Sequence, residues 1–142
     1  MKNNFKQKII KQKEFDLFSA EFLYNVLKKL SKNKKNISIA LSGGSTPLPI
    51  LGLLKDYKLN WEYFNFFMVD ERSVPTSNPL SNFGNIEKVF FKNINSKSYS
   101  MKSESCSIED CANNYENLIC SKILLRKNGM PVFDLILLGI GD

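Results

Sequence analysis

The sequence predicts an α/β fold, a doubly wound, mostly parallel sheet with helices on both faces. Three observations carry this. Amphipathic stretches with helical spacing alternate with short apolar runs rich in β-branched and aromatic residues, the order expected of strand–helix–strand units. The apolar runs end in glycine or acidic residues, at the place where an open α/β sheet puts its ligands. No repeat or linker interrupts the 142 residues, a length that suits one domain with its own core.

Each element follows in order. In residues 14–32, Phe15, Phe18, Phe22, Leu23, Val26, Leu27 and Leu30 recur at helical spacing, with Asp16, Glu21, Asn25, Lys28 and Lys29 on the other side. Lysines near the end of this helix suit its dipole. Residues 32–36 read as a loop and 37–42 as a buried strand. A glycine turn then leads to a short helix started near Pro47. Residues 64–70 form a second buried strand that ends at Asp70, followed by a polar, proline-rich loop over 71–85. A helix is predicted over 86–94 and a short strand over 98–102. Residues 107–129 predict a long helix, with Ser107 and Asp110 at capping-box spacing and Gly129 as its stop. Residues 132–139 close as another buried strand.

Composition excludes several classes. No apolar run reaches the ~18–20 residues that span a membrane, and the basic N-terminus lacks the apolar stretch of a signal peptide. A cytoplasmic protein is expected. The formal charge of +6 comes from 18 Lys and 2 Arg against 14 acids. The lysines cluster at Lys2 to Lys13 and Lys28 to Lys35 without the interleaved aromatics and arginines of a nucleic-acid groove, so a solvated surface is the reading. The cysteines, Cys106, Cys111 and Cys120, fit neither a metal half-site nor a disulfide framework. Reduced thiols are expected, and with no histidine in the chain a zinc site is not.

Three strand ends carry the chemistry. In Ser42-Gly43-Gly44-Ser45-Thr46-Pro47, two glycines permit a sharp turn, two hydroxyls follow, and a helix begins. The combination suits an anion, above all phosphate, and equally a capped strand-to-helix turn. It is neither a Walker A loop nor a dinucleotide fingerprint, since the Gly-Lys pair and the third glycine are missing. In Asp70-Glu71-Arg72, charges directly follow a buried strand. They suit a ligand contact, or a surface ion pair. Arg72 stands out in a lysine-rich chain because a guanidinium fork matches a phosphate. The ending Gly-Ile-Gly-Asp, 139–142, reads as a plain turn or another ligand loop.

Together, "LSGGSTPLPILGLL", "VDERSVPTSNPLSNFG" and "FDLILLGIGD" resemble three ordered motifs of the 6-phosphogluconolactonase family, within a broader group that also holds glucosamine-6-phosphate deaminases. The resemblance implies a Rossmann-like domain that hydrolyses 6-phospho-D-glucono-1,5-lactone to 6-phosphogluconate in the pentose phosphate pathway, with no metal or organic cofactor. Its partner would be the small phosphosugar lactone, not nucleic acid or membrane. By that resemblance Gly43, Gly44, Ser45 and Thr46 cradle the sugar phosphate, Arg72 grips the phosphate, Asn82 joins the substrate contacts, and Asp70 positions the catalytic group. Arg72 and the Ser81-Asn82 pair favour lactonase over deaminase, where Tyr and Ser-Tyr are usual.

Two departures stand out. Asn78 replaces the histidine common in the second motif. The histidine that follows the third motif, the family's general base, is absent. The resemblance covers rather more than the first half of a typical member. Residues 1–142 are therefore expected to be the N-terminal part of a single, truncated lactonase-type domain with little or no turnover of its own.

Overall fold

The structure, a computed structural model, describes residues 8–101 and 107–139. Helix α1 (Phe15–Asn33) leads into strand β1 (Ile37–Leu41), helix α2 (Pro47–Leu54), strand β2 (Phe64–Met68), helix α3 (Asn82–Val89), strand β3 (Lys97–Tyr99) and helix α4 (Ile108–Lys122). Two short antiparallel strands, β4 (Arg126–Lys127) and β5 (Met130–Pro131), precede strand β6 (Leu135–Leu137). The main sheet has the order β3-β2-β1-β6, and every neighbouring pair in it is parallel. The alternation of helices and apolar runs therefore yields the doubly wound sheet it predicts.

The period of two along each strand divides the core between the faces. Ile37, Ile39 and Leu41 of β1 join Phe64, Phe66 and Met68 of β2 in one cluster with residues of α1, α2 and α3. Phe67 points to the other face and packs with Tyr115 and Ile123, against Tyr99 and Phe133. Three helices thus cover one face and α4 the other. With both faces buried, β1 and β2 read as continuous apolar runs rather than alternating ones. Trp61, just before β2, meets Phe90 edge-on with ring centroids 5.4 Å apart.

Asp134 fixes the start of β6. Its carboxylate accepts from the Ser38 amide at 2.9 Å and the Ser38 hydroxyl at 3.2 Å, and pairs with Lys34. β6 is the outermost strand on its side among the described residues, with Ile136 and Leu138 50% and 64% exposed. No helix among the described residues is long and apolar enough to cross a membrane.

Three expectations are corrected. α3 begins at Asn82 rather than at residue 86, because the Ser81 hydroxyl accepts from the Gly84 amide at 3.0 Å and caps it. α4 stops at Lys122 rather than at Gly129, where Arg126 donates to the carbonyls of Cys120 and Ile123. Asn128 and Gly129 instead form the hairpin turn between β4 and β5, with φ of 52° and 80°. Asn-Gly is the pair that such a turn favours. The third correction concerns the thiols: Cys120 is free and exposed, but Cys111, in the first turn of α4, is disulfide-bonded.

Candidate functional site

Because the sheet is parallel, the segments after β1, β2 and β6 emerge at one edge. The chain runs β1, β2, β3 in one direction and then places β6 on the far side of β1. That reversal is where open α/β sheets leave a crevice for ligands. Ser42 bridges it: its amide donates to Leu137 O at 3.1 Å, and its hydroxyl accepts from the Gly139 amide at 3.1 Å. The rest of the third motif, residues 140–142, lies outside the described residues.

The two glycines of the β1 turn serve different ends. Gly44 has a φ of 99°, with open space where a Cβ would be, so it makes the turn. Gly43 is small because of Asn82: a Cβ there would lie 2.0 Å from the Asn82 side chain. Ser45 and Thr46 are exposed beside them, and Thr46 precedes α2 without capping it through its side chain. Pro47 and Pro49 remove two amide donors from the first turn of α2. Any anion at this turn would therefore depend on the amides and hydroxyls of residues 43–46 more than on the helix end.

At the β2 tip, Asp70 is exposed, and its carboxylate accepts from Asn82 Nδ2 at 3.0 Å. The same Nδ2 also donates to the Asp70 carbonyl at 3.2 Å. Asn82 is only 7% exposed, so its side chain faces protein groups: Asp70 on one side and Gly43 on the other. It links the two strand tips, a role that neither motif shows by itself.

Arg72 is exposed, and its guanidinium makes no ion pair or hydrogen bond with a described residue. It lines a shallow apolar pocket with Met101, Ile108 and Cys111. Thr46 lines a different cavity of about 340 Å³, with Phe18, Ile50 and Leu137. The glycine turn and the arginine thus stand at neighbouring strand tips and border separate hollows.

Glu71, which the sequence marks only as one of the charges of Asp70-Glu71-Arg72, has four protein donors in the structure. Its carboxylate accepts from the amides of Arg72 and Asn82, each at 2.7 Å, from the Phe83 amide at 2.9 Å and from the Ser81 hydroxyl at 3.1 Å. No periodicity marks it, because its partners come from the far end of a loop. That loop is itself well bonded. Asn78 Oδ1 accepts from the Leu80 amide at 2.9 Å, and the Ser81 amide donates to Asn78 O at 3.0 Å, so asparagine closes the turn where the related motif has histidine.

Tyr115 supports the tip from α4. β3 ends with Tyr99 opposite Phe67, which leaves the Met68 amide and carbonyl without a strand partner on that side. The Tyr115 hydroxyl accepts from the first at 2.6 Å and donates to the second at 3.0 Å. Burial pushes its pKa up to about 12; the Met68 amide pulls it down, and the Glu71 charge adds to the rise.

Among the described residues, the edge thus offers an unpaired guanidinium, a turn whose hydroxyls have no partner, and a carboxylate held by an amide. With no histidine in the sequence, it offers no imidazole base. Among the described residues, no three His, Cys, Asp or Glu side chains gather as a metal set.

A family model described as glucosamine-6-phosphate isomerases/6-phosphogluconolactonase matches residues 11–142. The 6-phosphogluconolactonase of Thermotoga maritima is 35% identical over 126 residues, covering 87% of this chain and 54% of that protein. That of Treponema pallidum is 34% identical over 128 residues, covering 86% and 52%. The crystal structure of the Thermotoga maritima protein superposes with a TM-score of 0.76 at 34% identity, over 90% of this chain and 56% of that one. The Trypanosoma brucei 6-phosphogluconolactonase structure gives 0.81 at 27% identity, over 97% and 61%. The chain spans about half the length of the curated relatives it matches.

Proposed function

Since the chain belongs to the family of glucosamine-6-phosphate isomerases and 6-phosphogluconolactonases, we propose that it serves the hydrolysis of 6-phospho-D-glucono-1,5-lactone to 6-phosphogluconate and supplies the part of the pocket that grips the phosphate. In that reaction water adds to the lactone carbonyl, the ring C–O bond breaks, and the ring oxygen leaves as a hydroxyl. Arg72 meets the phosphate as a fork, and the turn 43–46 adds amides and hydroxyls. Asp70, held by Asn82, stands at the reacting end. The Arg72 and Ser81-Asn82 signature supports the lactonase over the deaminase reading.

One observation carries this. A guanidinium with no partner among the described residues stands two positions after a carboxylate that is tied, through Asn82, to a glycine–hydroxyl turn on the next strand. Addition of water to a lactone is helped by a general base, worth roughly 10²–10⁴ in rate. Without histidine, these 142 residues bind the phosphosugar better than they turn it over.

Calorimetric titration with 6-phosphogluconate and with gluconate tests the reading. Binding is expected only for the phosphorylated ligand, weakened about tenfold or more in Arg72→Ala. Equal binding of both ligands, or of neither, would overturn it. Lactone hydrolysis should stay near the spontaneous rate, and substantial turnover would refute the statement about the missing base.

A further inference from the structure

We propose that Glu71 is the positioning residue of this site, acting through Asn82 on both strand tips. This rests on the functional reading above. An exposed carboxylate at the end of a strand ordinarily spends its lone pairs on water. Here both oxygens are taken by protein donors: Oε1 by the amides of Arg72 and Asn82, Oε2 by the Phe83 amide and the Ser81 hydroxyl.

The donors lie at both ends of one loop. Arg72 begins it, and Ser81, Asn82 and Phe83 end it as the cap and first turn of α3. An eight-residue helix is too short to persist by propensity, so its first turn depends on outside partners. The carboxylate satisfies two of its orphan amides and complements its dipole. It also holds the backbone of the residue that bears the phosphate-facing guanidinium.

The consequence reaches β1 through Asn82. Held by its amide, Asn82 lays its side chain in the space left by the missing Cβ of Gly43 and donates to Asp70. Gly84 completes the seat: a Cβ there would lie 1.9 Å from the Thr76 carbonyl, so the loop rests directly on the first turn of α3. One acidic side chain therefore sets where Arg72, Asp70 and the glycine turn stand relative to one another. A cap confined to α3 would change stability alone; the proposed role also changes ligand affinity beyond any loss of stability.

The test compares Glu71→Gln and Glu71→Ala in the full chain with Phe90→Leu, a core substitution that lowers stability away from the site. In ¹⁵N-edited spectra of Glu71→Gln, the side-chain amide of Asn82 and the backbone amide of Gly43 should move together with those of Arg72 and Phe83. Affinity for 6-phosphogluconate should fall about tenfold in Glu71→Gln and further in Glu71→Ala, while Phe90→Leu keeps the wild-type affinity. Unmoved Asn82 and Gly43 signals would overturn the proposal. So would affinity that tracks stability alike across the Glu71 and Phe90 variants. Where Glu71→Ala does not fold, the near-isosteric Glu71→Gln decides. If the unaltered chain fails to bind 6-phosphogluconate, the functional reading falls, and the resonance shifts still decide the role of Glu71.

Discussion

The tips of β2 and β6 stand at one edge of the same sheet and are held in opposite ways. At β2, Glu71 collects four donors, Asn82 spans to β1, and Tyr115 takes up the last amide and carbonyl of the strand. At β6, the strand is anchored at its start by Asp134, while among the described residues Ser42 fastens its end, donating its amide to Leu137 O and accepting from the Gly139 amide. Ile136 and Leu138 are at least half exposed there, near Phe15 and Phe22 of α1. Polar cross-links define one tip, and lateral strand pairing defines the other. The proposed ligand-holding groups Asp70 and Arg72 belong to the first.

The contrast makes graded predictions. The largest effect should come from beneath β2: Phe66→Ala, at a position 1% exposed among Trp61, Phe90 and Phe91, should cost about 3–5 kcal/mol in urea unfolding. Next is Gly84→Ala. The obstructing atom is a backbone carbonyl, so the loop must move, at about 1–3 kcal/mol and with loss of phosphosugar affinity.

Tyr115→Phe should cost about 1–3 kcal/mol at neutral pH, since the Met68 amide and carbonyl both lose their partner. It should also change the alkaline limb. The folded-state pKa of about 12 lies above the unfolded value near 10, so its stabilisation is complete below about pH 10 and is lost as pH rises towards 12. In Tyr115→Phe that slope should lessen, with Tyr99, raised by its own burial, supplying part of what remains.

The smallest effect is expected on the other tip. Ile136→Ser should shift stability by less than about 0.5 kcal/mol, as exposed positions usually do. A loss several times larger would show that this flank is covered in solution, and the contrast between the tips would fail.

What the sequence reveals here is what is local. The stripe from Phe15 to Leu30, the apolar runs of β1 and β2, and the Ser107–Asp110 cap all declare themselves within a few positions. So does the mark of Gly44, which the turn requires. The Asn128–Gly129 hairpin is equally local, but a glycine after a basic helix end also reads as a helix stop, and the structure takes the hairpin. The early start of α3 was not readable, because Glu71, on another strand tip, helps to hold its first turn. Nor was the reason for Gly43, since Asn82 reaches it only once β1 and β2 lie side by side. The motifs contain the bridging residues Glu71 and Asn82 as well, but not the partners that they bridge.

The phenol of Tyr115 has a further consequence. Where β3 stops, the end of β2 would otherwise present a bare amide and carbonyl to its surroundings, an invitation to any passing extended chain. One aromatic ring from across the molecule closes that seam, so the most chemically furnished corner of the sheet is also one on which a stranger's backbone finds no template.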